Sequence, residues 1–136
     1  MAGKGIPLCL LVAILVLAAS PVASSAGLAS DTAKEISIAA DQASAAAAGA
    51  DIKTIRGHLH ETINCLVGPK GDWFDAKQPN PCQGLGNGAI PETTDAAKTE
   101  TLHAAFVKAR AGLTAHLPAD ARAIAAEVAT LLKKAM

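Results

Sequence analysis

Alanine constrains this chain more than any other residue. It supplies 32 of the 136 residues, against one Trp, two Phe and no Tyr. Alanine is the strongest helix former and a poor strand residue, because its methyl gives up no rotamer freedom in a helix and offers little to pack on a pleated surface. The sequence therefore predicts an all-α protein. Its large apolar residues are few, so the core must be thin, with helices approaching closely over alanine faces. Charge is balanced, with 12 basic and 12 acidic residues. That balance, without a basic stripe interleaved with aromatics, argues against a nucleic-acid partner.

The N-terminus has the layout of a secretory signal peptide. Lys4 gives a positive start, residues 6–19 form an apolar run broken only by Pro7 and Cys9, and Ser24, Ser25 and Ala26 supply small residues for cleavage. The run falls short of the roughly 20 residues a membrane span needs. Residues 1–26 are expected to be removed, with Ala23 and Ala29 as neighbouring cleavage points. Residues 27–136 would then form one small exported domain, periplasmic or secreted, with no membrane span.

Removal of Cys9 leaves Cys65 and Cys82. An even pair in an oxidising compartment predicts a disulfide, closing a loop that contributes about 3 kcal/mol in the chain-entropy model. The alternative, a thiolate metal site, finds no usual zinc spacing here.

Helices follow from capping residues and apolar period. Ser30 and Asp31 offer an N-cap for a helix running to about Ala48, and Gly49, Ala50 and Asp51 offer a break with a new start. Ile52, Ile55, Leu59, Ile63 and Leu66 then recur at helical spacing until Gly68 and Pro69. Residues 67–91, with five Gly and four Pro, read as a long irregular loop. Thr94 and Asp95 cap a third helix with Leu102, Phe106, Ala109, Leu113 and Leu117 facing inward. Pro118 suits the first turn of a fourth, facing inward through Ala121, Ile124, Val128, Leu132 and Ala135. Residues 49–55 and 118–124 resemble each other, each opening the second helix of a pair. The expected fold is a four-helix bundle of two helix-turn-helix units joined by a disulfide-pinned loop. If Gly49 does not interrupt the first helix, three helices with one long member result.

The second helix carries His58, His60, Glu61 and Cys65 within eight residues. At about 100° per residue, His58 and His60 fall on opposite flanks of the stripe centred on Leu59, so they cannot chelate one ion together. His58 shares its flank with Glu61 and Cys65; His60 shares the other with Asn64 and Lys53. Metal ligation needs a facing helix, and the remaining imidazoles are His103 and His116. The candidate sets are His58, Glu61 and His103, or His60 with His116, for a divalent transition metal such as copper, nickel or zinc. The plain alternative makes each histidine a boundary residue covering apolar surface. No nucleophile–base order, elbow glycine or zinc-protease helix supports catalysis. Asp72 and Asp75 lack the alternating ligands of a calcium loop, and the glycines at 84, 86 and 88 lack the Lys-Ser/Thr ending of a phosphate loop.

In residues 45–65, an alanine helix, a glycine turn, Ala-Asp and a histidine-bearing helix resemble the small periplasmic metal-binding proteins of bacteria. The resemblance implies a secreted, alanine-rich antiparallel bundle taking up divalent ions such as copper. This chain departs from that family in having four histidines rather than a dense array, and in its inserted loop. One or two sites are then expected rather than many.

Trp73 and Phe74 sit in the loop, and two roles follow for them. They fold back to plug the open end of the bundle, or they stand exposed and anchor a partner, as Trp often does at binding hot spots. Two functions are therefore expected in contrast: an exported metal-binding protein using the histidines, or a non-catalytic interaction protein of the cell envelope using the loop.

Overall fold

The computed structural model describes residues 30–136, and the expected signal peptide lies outside the described residues. Asp31 caps the first helix, α1 (Thr32–Ala47), its carboxylate accepting the Lys34 N–H. The chain then breaks at Gly49, where a Cβ would come 2.6 Å from Ile55 Cγ1. Asp51 caps α2 (Ile52–Val67) and accepts both the N–H and the hydroxyl of Thr54. Those bonds hold the Asp51 carboxyl below its ordinary value. A one-turn helix, α3 (Ala89–Glu92), interrupts the segment expected to be irregular throughout. Asp95 then caps α4 (Ala96–Thr114), and Pro118 opens α5 (Pro118–Ala135), whose last turn carries Lys133 and Lys134. Among the described residues there is no strand, and no helix is long and apolar enough to cross a membrane.

The four long helices form a bundle in which α1 packs on α2 and α5, and α4 packs on α5 and α2. Gly49 does break the first helix, so the four-helix form holds. The α1–α2 and α4–α5 turns are bound to each other by two arginines. Arg122 donates to the Gly49 carbonyl at 3.2 Å and Arg56 to the Ala115 carbonyl at 2.8 Å. The two related segments thus lie together, though in different register: Asp51 is an N-cap, while Asp120 lies within the first turn of α5 behind Leu117.

Small side chains fill the centre, as the composition requires. Ala39, Ala40, Ala43 and Ala46 of α1 and Ala121, Ala125 and Ala129 of α5 are buried against Ile55, Leu59, Ile63, Leu102, Val128 and Leu132. The α4 stripe differs from expectation. Its buried residues are Leu102, Ala105, Ala109 and Gly112, whereas Phe106 and Leu113 are only partly covered and Leu117 is 60% exposed. The cause is the approach of α2, since a Cβ on Gly112 would come 2.7 Å from Leu59 Cδ1. The smallest residues must face that contact, and the helix turns about 60° from the face its large residues mark. Ile124 likewise lies at the margin of the core.

The loop does not plug an end of the bundle; it lies back along its side as a strap. Gln78 reaches the groove beside Asp51 and Arg56, while Trp73 packs on α4. Asn64, buried at the C-terminal end of α2, organises the strap. Its side-chain amide donates to the carbonyls of Asp75 (3.0 Å) and Pro79 (3.1 Å), and its oxygen accepts the Asp75 N–H (2.8 Å). The Cys65–Cys82 disulfide forms as expected. The two ends of the strap then cross at Gly68 and Gly88. Gly68 has φ +68°, and a Cβ there would lie 1.8 Å from the Asn87 carbonyl oxygen, so only glycine fits this crossing.

Candidate functional site

The two histidines of α2 have different surroundings. His58 Nδ1 lies 2.9 Å from Gln42 Oε1 on α1 and 3.3 Å from Glu61 Oε2. Both neighbours are acceptors, which assigns a ring hydrogen to Nδ1; in the neutral ring Nε2 then keeps the lone pair. On the other flank, His60 Nδ1 lies 3.6 Å from Asp75 Oδ2 of the strap, a separation too long for a hydrogen bond. The structure thus joins His58 with Glu61, as their spacing expects, and separates both from His60. His103 is exposed on α4, and His116 is exposed because α4 ends at Thr114 before reaching it. Among the described residues, no three His, Cys, Asp or Glu side chains gather in a way that could hold a metal ion. An ion on His58 Nε2 would need water or a second molecule to complete its coordination.

A different constellation forms where the strap meets α4. The Trp73 ring stands edge-on to Phe106, with centroids 6.5 Å apart and planes at 71°. The Arg110 guanidinium lies 3.6 Å from the centroid of the Trp73 ring and 5.6 Å from that of Phe106. Held between strap and helix, Trp73 is nevertheless 46% exposed. Beside it runs a groove lined by Val107, Arg110, Leu113 and Thr114, with Val107 59% exposed. Arg110 Nε is buried without a hydrogen-bond partner. Phe74, the other expected anchor, is half-buried, its N–H donating to the Gly71 carbonyl at 3.0 Å.

The turn of α4 described above produces this patch: residues displaced from the core stripe, Phe106 and Leu113, meet Trp73 at the flank. Sequence periodicity marked Phe106 and Leu113 as core and gave no role to Val107 or Arg110. The only signal for Arg110 is its position four residues after Phe106, which sets both on one face of α4.

Compared with known proteins, the chain matches no family model, no curated protein and no solved structure.

Proposed function

We propose that this protein is an exported, non-catalytic binding protein whose contact surface is the strap-and-α4 flank centred on Trp73. One observation carries the reading: the only tryptophan of the chain is fixed by a ring contact and a guanidinium, yet nearly half of it faces solvent. A rigid, half-open aromatic gives contact area at little entropic cost, which is why such residues anchor interfaces. The disulfide is consistent with an exported chain, as is the leader-like N-terminus. Arg110 adds a cation beside apolar walls, so the partner that fits best is an envelope protein segment pairing an aliphatic side chain with a carboxylate. A photo-reactive residue replacing Val107, in the protein as secreted by its own cells, should give one discrete cross-linked product. That product should vanish when Trp73→Ala is added. A crosslinking pattern indifferent to Trp73 would defeat the reading.

A second reading retains the metal, favoured by the Glu61 carboxylate beside His58 Nδ1, since a carboxylate hydrogen-bonded to the far nitrogen of an imidazole orients that ring for a metal. Copper, nickel or zinc would then raise the melting temperature near pH 7.5 but not near pH 5.5, where protons compete for imidazole. The effect should disappear with His58→Ala. No shift with any of the three metals would leave His58 a boundary residue.

A further inference from the structure

Two acids close over the neck of the strap. Glu35 stands in the first turn of α1 and is 1% exposed; Glu92 ends α3. Glu35 Oε1 accepts the Gly88 N–H at 3.2 Å, while Glu92 Oε1 accepts the Asn87 N–H at 2.7 Å and its side-chain amide at 3.1 Å. The remaining oxygen of each acid, Glu35 Oε2 and Glu92 Oε2, is out of water and has no hydrogen-bond partner. A buried carboxylate oxygen left unpaired is among the costliest groups a fold can hold. The two acids adjoin, since a Cβ on Gly86 would lie 2.3 Å from Glu92 Oε2 and 3.0 Å from Glu35 Oε1.

Among the described residues, no counter-charge pairs with either acid. Asp31, at the cap of α1, is negative as well, and the Cys82 sulfur facing the Glu35 carbonyl at 3.8 Å is bound in the disulfide. On the far side, Lys98 and Asp95 of the α4 start line the groove that Glu92 borders, without pairing with it. A cation would need volume, and the point flanked by both acids is only a bond's length from Gly86 Cα. A proton needs none.

We propose that the buried Glu35 carboxyl is held as the neutral acid beside Glu92, and that its proton is a latch keeping the neck of the strap shut. A proton on Glu35 removes a buried charge and relieves the repulsion from Glu92 and Asp31. Burial is the main influence on Glu35 and pushes it from 4.5 up to about 7; the Gly88 N–H pulls it down, while Glu92 and Asp31 push it further up. The native state therefore binds this proton more tightly than the unfolded chain. Its contribution to stability is complete below about 4.5 and is lost as pH rises through about 7. Above that range Glu35 carries a charge beside Glu92 at residues 86–88, and the strap carrying Trp73 loses one of its ties. The latch stands whatever the Trp73 surface binds.

Glu35→Gln is the test, because the amide is neutral like the protonated acid and its oxygen still accepts from Gly88. The oxidised wild-type protein should lose about 10 °C of melting temperature between pH 5 and pH 8. The variant should match it at pH 5, exceed it by about 5 °C or more at pH 8, and keep a shallower slope between. All other titrating groups, the histidines included, are common to both proteins. Carbon-detected NMR of the Glu35 carboxyl in the wild type should show titration near neutrality, displaced downward in Glu92→Gln. Parallel melting curves, or a Glu35 carboxyl titrating at an ordinary acidic pH, would overturn the proposal. So would a rise in wild-type melting temperature with millimolar Ca²⁺ at pH 8 that Glu35→Gln abolishes, since a cation would then occupy the place of the proton.

Discussion

The bundle and the strap are held together in opposite ways. In the bundle, stability is spread over many small contacts: Ala39, Ala43, Ala105, Ala125 and their neighbours each bury a single methyl, worth about 0.8 kcal/mol on the per-CH₂ scale. No one of them decides the fold, because the period repeats the instruction in every turn. The strap buries few apolar side chains and depends on individual ties. These are the three Asn64 hydrogen bonds, the Cys65–Cys82 bridge, the glycine crossing and the bonds that Glu35 accepts from Gly88 and Glu92 from Asn87. A periodic pattern tolerates single errors, whereas a set of unlike ties does not.

The contrast can be broken most directly at Gly68. Gly68→Ala meets both a positive φ and the backbone of Asn87, neither of which a rotamer change can relieve. It should cost about 3 kcal/mol or more in denaturant unfolding, far beyond what one methyl group costs in the bundle. A loss below about 1 kcal/mol would mean that the neck is loose and that the strap is not built as described. At the other extreme, Ala43→Gly removes one buried methyl and weakens one helical position. It should cost about 1 to 2 kcal/mol without altering Trp73 fluorescence. A larger loss, or a displaced Trp73 spectrum, would show that the bundle also rests on single contacts.

The same difference explains what could be read from the sequence. The α2 stripe was legible because large aliphatic residues mark it at every turn, and Asp31, Asp51, Asp95 and Pro118 announced their helix starts by local chemistry. On α4 the large residues misled. The buried face is chosen by how close Leu59 comes to Gly112, a fact about another helix. Glu35 was invisible for a related reason: a glutamate in a first helical turn is ordinarily a solvated residue favoured by the dipole, and only the returning strap buries it. Asn64 sits beside His60 by helical spacing, but its partners at Asp75 and Pro79 are fixed by the path of the loop. Of the candidate metal residues, the His58–Glu61 pair was legible because it is local. The distances to His103 and His116 depend on how helices are rotated in the bundle, which a single period cannot fix. Trp73 was marked as a distinctive aromatic, yet its seat on Phe106 and Arg110 followed from the strap lying along the flank rather than over an end.

That strap and bundle unfold as one unit is the most direct consequence of the ties described, and one experiment reads both. Trp73 is the only tryptophan and lies in the strap, while far-UV circular dichroism reports the helices of the bundle. In the oxidised protein at pH 6, the two signals should follow the same denaturant transition with the same midpoint and slope. Tryptophan emission that shifts to the solvated position at lower denaturant than the loss of helix would contradict the integrated strap, and would reduce residues 67–91 to a tethered loop on an independent bundle.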